Sequence, residues 1–480
     1  MIKIANLLPV AYFLLLSGYA VAQKNDEAGK KIDALFSSYT AHTPGAAVAI
    51  VKDGKVIFKK GYGMADLDHD IPITPQTVFN IASVSKQFTA FAIYLLESEG
   101  RIVLEDDVRK YIPELPDYGT TIKIKHLLGH TSGLRDQAAM TALAGWRLSD
   151  IQTTEQIIRL IARQRNLNFT PGSMFNYSNT GYTLLAEIVH RVTGKTFAAY
   201  AEEKIFKPLG MTSTQVYDNY EKIVKNKAES YERSNTEYIH KPLNVSNAGP
   251  SNVLTTVEDL SKWVLNFEKP VVGNNQLIKA FNEVSYLDNG KKVVLRVSNG
   301  DTIFYAKGQN VTNYKGIKTF SHGGHTAGFR TYLGRFPDQH FAIVALSNDE
   351  HNENLKARWQ IADFYLKDYL KEEKMTGAGP QNTGAKATIS YCANIKDFEG
   401  EYYSDELSTS YTFEVRGDKL IMRHLRLSDL ELIQVSENKF SGSGPDTFLF
   451  EMEFLRNDTA VTGFLISNFG VKNLKFIKVK

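Results

Sequence analysis

A single cysteine, Cys392, occurs among the 480 residues. It can close no internal disulfide, so the fold rests on a self-sufficient core, which a chain of this length can build. Cys392 also falls in a linker-like stretch, which argues against a nucleophile. An excess of one charge is missing as well: 56 Lys and Arg face 53 Asp and Glu, a formal net charge of +3. That balance gives no case for nucleic acid or a polybasic membrane surface as a partner. There is no repeat of fixed period, no P-loop and no cluster spaced like metal ligands, so neither cofactor nor metal is expected.

Long apolar runs are scarce too. The one that stands out, Leu7 to Leu16, is too short for a comfortable membrane span. With Lys3 before it and Ala20-Val21-Ala22 after it, residues 1–22 read as a signal peptide cleaved after Ala22, and predict a secreted or periplasmic protein. An uncleaved N-terminal anchor is the alternative. No cysteine follows the apolar run, which excludes a lipidated one there.

What is present reads as two units. Residues 24–40 carry a helical pattern with Ile32, Leu35 and Phe36. Pro44 to Val51 reads as a buried strand, Asp53-Gly54 as a hairpin turn and Lys55 to Tyr62 as the partner strand. A short helix follows at Ile124, an amphipathic one over 154–165, and another after Asn179 with Gly194 near its end. Thr256 caps a further helix. Residues 291–346 alternate as several strands, and 354–372 form a long amphipathic helix. The Gly- and Pro-containing segment 373–394 is a linker, and 395–480 reads as a small antiparallel sheet or barrel with turns such as Arg416-Gly417-Asp418.

Chemistry concentrates at Ser83-Val84-Ser85-Lys86, which runs into the helical pattern Phe88, Phe91, Ala92, Leu95, Leu96. A helix start at Ser83 places Lys86 on the same face. A neutral Lys86 amine could then take the proton that makes the Ser83 hydroxyl a nucleophile. Taken alone, the tetrapeptide also reads as a Ser N-cap followed by a solvated lysine. Tyr177 follows the Pro171-Gly172 turn and precedes a helix, a place from which a loop presents a side chain. It is a candidate proton relay or a core aromatic. Asn179, two residues on, is placed to hydrogen-bond Lys86 or a substrate amide. In His322-Gly323-Gly324 the glycines permit close backbone approach. The N–H of His325 then pairs with that of Ser83 as a candidate oxyanion hole. The alternative is a Gly-rich turn with two surface histidines. Zinc on His322 and His325 lacks a third ligand at suitable spacing.

Together these elements resemble the serine β-lactamase/penicillin-binding-protein superfamily, in the branch of class C β-lactamases, DD-peptidases and related esterases and aminopeptidases. The order Ser83-x-x-Lys86, Tyr177-Ser178-Asn179, His322-Gly323-Gly324 carries the resemblance. Leu127 to Leu134, Pro171-Gly172, Pro208-Leu209-Gly210-Met211 and Thr256 to Leu260 add to it, over about residues 30–370. The resemblance implies an α/β (α+β) sandwich, an antiparallel sheet flanked by helices, with a helical insert carrying Tyr177, within a hydrolase domain at 23–372. It implies that Ser83 is acylated, that Lys86 and Tyr177 share acid–base work, and that Asn179, His322, Gly324 and His325 bind substrate. One departure stands out: class C β-lactamases carry Lys-Thr-Gly where this chain has His322, Gly323 and Gly324. A neutral His is a weaker carboxylate anchor than Lys⁺, which argues against efficient β-lactam hydrolysis. Residues 395–480 resemble the lipocalin-like β-barrels appended to some of these hydrolases, with Phe398 to Tyr403 as first strand and Phe448, Phe450 and Phe454 as core. The resemblance implies cleavage of an amide or ester through acyl-Ser83, as a D-amino-acid peptidase or DD-carboxypeptidase-like enzyme first and an esterase second, on a small peptide or ester, a cell-wall peptide among them. A β-lactamase, or a non-catalytic penicillin-binding-like sensor, is the alternative. The oligomeric state is not legible.

Overall fold

Alternation along the first strand divides the hydrolase domain into two cores. In the computed structural model, which describes residues 27–298, 301–351, 353–371, 394–444, 447–458 and 460–480, β1 (Ala46–Lys52) and β2 (Lys55–Tyr62) form a hairpin. Its turn residues Asp53 and Gly54 have φ of 49° and 74°, as a primed hairpin turn requires. Side chains alternate across a strand. Ala46, Val48 and Ile50 therefore join one core with Ile32 of α1 (27–35), while Ala47, Ala49 and Val51 join the other. The expected signal peptide, Cys392 and the expected linker up to residue 393 lie outside the described residues.

Short ladders follow: β3 (Met64–Asp66) with β4 (Ile71–Pro72), β5 (Phe79–Asn80) and β6 (Gln215–Val216) flanking β9 (Val253–Thr255), and β7 (Tyr231–Ser234) with β8 (Glu237–His240). The chain then lays down β10 (Val294–Ser298), β11 (Asp301–Ala306), β12 (Gln309–Tyr314), β13 (Ile317–Thr326), β14 (Phe329–Phe336) and β15 (Phe341–Ser347). With β1 and β2 they make an eight-stranded antiparallel sheet of order β10-β11-β12-β13-β14-β15-β1-β2.

Helices cover both faces. α1 and α10 (Glu353–Leu366) cover one. On the other, α2 (Lys86–Ser98) and α8 (Val257–Leu265) interlock through Phe88 and Trp263, with ring centroids 4.6 Å apart. The insert adds α3 (Ile124–Leu128), α4 (Gln137–Leu143), α5 (Thr154–Ala162), α6 (Asn179–Thr193) and α7 (Phe197–Ala201); α9 (Asn275–Asn282) follows α8. Local chemistry sets their ends. Thr153 and Gln156 form a capping box on α5, and Gly194, at φ 72°, closes α6. The helix expected over 354–372 stops at Leu366. Leu366 is its last buried apolar residue, and Lys371 N–H then donates to Lys315 O at 3.0 Å, drawing the chain away.

The C-terminal unit follows the expectation of an all-β barrel. Its strands are β16 (Gly400–Ser404), β17 (Thr409–Arg416), β18 (Lys419–His424), β19 (Leu427–Glu431), β20 (Ile433–Ser436), β21 (Lys439–Gly444), β22 (Thr447–Arg456), β23 (Val461–Ser467) and β24 (Leu474–Lys478). They form a nine-stranded sheet with β19 and β20 at its edges. Only Leu432 separates these two edge strands, so the sheet curls into a nearly closed barrel. Phe450 and Phe454 are core, among Phe413, Phe464 and Phe476; the Phe448 side chain lies outside the described residues.

The barrel docks on the helical insert through a buried ion pair. Arg135 Nη1 donates to Glu406 Oε2 at 2.6 Å, with side-chain exposures of 0% and 7%. The same guanidinium donates to the carbonyls of Lys472 and Asn473. Removing one member of such a pair leaves the other charge buried alone. Glu406→Ala is therefore expected to destabilise the protein by about 3–5 kcal/mol, read as a lower urea midpoint; a midpoint within error of wild type would show that the pair contributes nothing.

Candidate active site

The turn that carries Ser83 is strained and held from three sides. Ser83 lies in a 3₁₀ turn, Ala82–Ser85, that leads directly into α2. Side chains three apart eclipse in a 3₁₀ helix, so Ser83 and Lys86 align. Ala82 has φ 46°, a left-handed conformation that costs an alanine roughly 1 kcal/mol or more. Asn80 Oδ1 accepts from Ala82 N–H at 2.8 Å, Ile81 N–H donates to Val253 O at 3.0 Å, and Thr331 Oγ1 donates to Ile81 O at 2.9 Å. Ser85, the neighbouring serine, is buried and accepts from Val253 N–H at 3.0 Å. Its hydroxyl is thus occupied in the frame, whereas Ser83 is partly open.

Lys86 is wholly buried. Its Nζ stands 3.2 Å from Ser83 Oγ, 2.8 Å from Asn179 Oδ1 and 2.8 Å from Pro250 O. Burial lowers its pKa to about 7, against the charge of Asp136, which raises it. A neutral amine has two N–H donors and one lone pair. Asn179 and Pro250 take the donors, and the lone pair remains for the Ser83 hydroxyl proton.

Tyr177 closes the other side. The Lys86 ammonium position lies 4.8 Å from its ring centroid. Burial pushes the Tyr177 pKa up, its hydrogen bond to Ser83 pulls the other way, and Asp136 adds to the rise. The phenol is thus a neutral donor across the working pH range. The stretch Leu127 to Leu134 shapes this loop. His130 O accepts from Asn176 N–H at 2.9 Å, and His130 Nδ1 accepts from Ser178 N–H at 3.1 Å. Because Nδ1 accepts, the ring proton sits on Nε2 and donates to Tyr305 OH at 2.8 Å. Burial holds His130 well below its usual pKa, reinforced by the charge of Lys86.

The third element arrives on β13. Only residues 317–321 of this strand pair with β12, whereas 320–326 pair with β14. Thr326 and Phe329 close a two-residue hairpin, so the ladder's alternation turns the His325 N–H away from β14, to the side β12 has left open. The His325 side chain itself is exposed. His322 is buried, and its Nδ1 donates to Gly323 O at 2.6 Å, leaving Nε2 as an acceptor. Burial, then the charge of Lys86, pushes its pKa down to about 4. His322 is therefore neutral at pH 7 and supplies no positive charge. Among the described residues, no group of three or more His, Cys, Asp or Glu is placed to hold a metal ion.

The structure thus brings Ser83, Lys86, Tyr177 and Asn179 together, with His322 beside Tyr177 at a centroid distance of 6.3 Å. Reading the residues alone missed Asp136, whose Oδ2 accepts from Asn179 N–H and Nδ2 at 2.5 and 3.1 Å. Its position before the α4 residues Gln137-Ala138-Ala139 was a usable N-cap signal. Pro250 and Tyr305 carry no local signal.

Gly324 is where β13 meets the Ser83 turn. A Cβ there would overlap Thr331 Oγ1 and the Ile81 carbonyl oxygen, both part of the frame. Gly324→Ala is expected to shift the turn and slow covalent labelling of Ser83 by about 10²-fold, the usual effect of an ångström-scale misplacement. Wild-type labelling in this variant would remove Gly324 from the frame.

The family model described as Beta-lactamase matches residues 32–366. The chain is 29% identical to Penicillin-binding protein 4* of Bacillus subtilis (strain 168) over 459 residues, which is 91% of this chain and 96% of that one. It is 32% identical to Protein flp of Staphylococcus aureus (strain MRSA252) over 64% of this chain and 60% of that one, so this match spans less than two thirds of flp. Among solved structures, the D-amino acid amidase from Ochrobactrum anthropi SV3 superposes with a TM-score of 0.58 at 22% identity, over 71% of this chain and 98% of that one, which shows a shared fold. The chain belongs to the β-lactamase family, within the superfamily of serine hydrolases that includes the penicillin-binding proteins.

Proposed function

We propose that this protein is a secreted or periplasmic serine hydrolase that cleaves amide or ester bonds through acyl-Ser83. The observation that carries this reading is the Lys86 amine: wholly buried, poised near neutral pH, with its two N–H groups engaged and Ser83 Oγ 3.2 Å away. In acylation the Lys86 lone pair takes the Ser83 proton as Oγ bonds to the substrate carbonyl carbon. The N–H groups of Ser83 and His325 receive the oxyanion. Tyr177, a neutral phenol, donates its proton to the leaving nitrogen or oxygen as that bond breaks, and is reprotonated from Lys86. In deacylation the same groups run in reverse with water as nucleophile.

Substrates rank as peptides or amides containing a D-amino acid first, small esters second and β-lactams third. The likeness to a penicillin-binding protein and to a D-amino acid amidase supports the first place. The neutrality of His322 supports the last, because a neutral ring attracts a carboxylate less than an ammonium does.

Intact mass spectrometry after a fluorophosphonate or penicillin probe tests the reading. One adduct is expected, on Ser83, and absent from Ser83→Ala; no adduct with either probe on folded protein would overturn it. Turnover on a peptide, ester and nitrocefin panel separates a hydrolase from a binding protein that is acylated and stalls. Lys86→Ala is expected to abolish labelling, and Tyr177→Phe to slow it by about 10²-fold, the usual size of an acid–base contribution. Full labelling of either variant reassigns that residue.

The pH dependence has a defined sign. The Lys86 pKa is lowered, and the neutral amine is the active form, so activity rises as pH increases through about 7. A kcat/KM profile already flat from pH 5 to 9 would exclude Lys86 as the base.

A further inference from the structure

The barrel reaches the site. Its loop 468–473, between β23 and β24, lies against the start of α4. The Gly470 carbonyl accepts from Asp136 N–H at 2.8 Å and from Asn168 Nδ2 at 2.9 Å. A Cβ at Gly470 would stand 2.7 Å from the Asp136 Cβ and 2.9 Å from the Ala139 Cβ, so glycine permits this approach. The loop is held from within: Asn468 Oδ1 accepts from the N–H groups of Gly470 and Val471 at 3.0 and 2.9 Å, and Val471 is buried. Asn176 Nδ2 donates to the Phe469 carbonyl at 3.2 Å, which ties the residue before Tyr177 to the same loop.

From Asp136 the connection runs inward. Oδ1 accepts from Ala138 and Ala139 N–H at 2.9 and 3.1 Å, and Oδ2 accepts from Asn179 N–H and Nδ2. Burial raises the Asp136 pKa, while the N–H groups of Asn179, Ala139 and Ala138 and the charge of Lys86 hold it down; ionised, the Asp136 carboxylate only accepts. It therefore forces the Asn179 amide to turn Nδ2 outward and Oδ1 toward Lys86, which donates to it at 2.8 Å. A reversed amide would set two donors against each other.

We propose that Asp136, locked in place by the barrel loop at Gly470, is a positioning residue that orients Asn179 and through it the Lys86 amine. The barrel is then part of the catalytic unit and not an appendage beside it. The inference rests on Lys86 acting as the base. The groups that face the amine are the Tyr177 and Tyr182 rings, at 4.8 and 5.5 Å, the neutral His130 and His322, and the carboxylate of Asp136. Of these, Asp136 raises the Lys86 pKa. Removing its charge must shift the Lys86 titration to lower pH.

The decisive measurement is an NMR titration of the full chain carrying [ε-¹³C]lysine, with the Lys86 signal assigned by its loss in Lys86→Ala. Asp136→Asn is expected to lower the Lys86 midpoint, and the acid limb of Ser83 labelling is expected to follow it down. An unchanged midpoint in folded Asp136→Asn overturns the proposal. Gly470→Ala keeps the charge but pushes Asp136, and is expected to slow labelling roughly tenfold without weakening reversible probe binding. Wild-type labelling in Gly470→Ala overturns the role of the barrel, and a retained thermal midpoint separates this loss from misfolding. The titration needs no turnover. A wild-type protein that takes no probe would defeat the hydrolase reading, while the Lys86 midpoint still decides this one.

Discussion

The removal of one amine from water organises this protein. Lys86 has no carboxylate in contact, and its nearest acid, Asp136, stands behind Asn179. An ammonium in such a place is costly, and burial accordingly lowers the Lys86 pKa to about 7. Most of its neighbours are uncharged, and the charge nearby, Asp136, is set behind Asn179. Its acceptors are an amide oxygen and a carbonyl, its aromatic walls are protonated phenols, and its two neighbouring imidazoles are held neutral. A single added charge in the cleft would disturb several groups at once.

The frame around that amine is made of distant segments. Asn80 precedes the Ser83 turn, Val253 comes from β9, Thr331 from β14, and Gly324 from β13. Their contacts hold Ala82 in a conformation it would not adopt alone, at the start of the 3₁₀ turn. Strain beside Ser83 is thus supported by the sheet, whose order places β13 and β14 beside each other beneath the turn.

This division explains what could be read beforehand. Ser83 with Lys86, and Tyr177 with Asn179, are local pairs, and their spacing survives in any numbering of contacts. The hairpin at Asp53-Gly54 and the cap at Gly194 were equally local. The barrel follows from its short strand patterns, and the α/β sandwich from the resemblance of the motifs. What the chain could not disclose was where segments far apart would touch. Nothing in Pro250 announces a carbonyl aimed at an amine, and nothing in Gly470 announces a neighbour at Asp136. The helical reading over 354–372 overshoots for a related reason: beyond Leu366 the chain meets another segment, where Lys371 N–H donates to the Lys315 carbonyl. The neutrality of Lys86 could be required in advance, but its cause, burial without a touching counter-ion, is tertiary.

The hairpin that opens the domain has a further consequence. β1 is apolar along nearly its whole length and pairs on one side with β2 and on the other with β15, where Gly45 and Asn348, 303 residues apart, close the join. No local neighbour can replace that second partner. At synthesis rates of about 5–20 residues per second, β1 waits roughly 15–60 s before β15 exists. Until then one edge of the hairpin stays unpaired, and the sheet cannot close. Such long-range pairing makes folding slow and leaves a sticky edge in the interval. The long register Ala46 to Lys52 against Phe341 to Ser347 makes the interval before β15 docks the one in which this edge stands exposed.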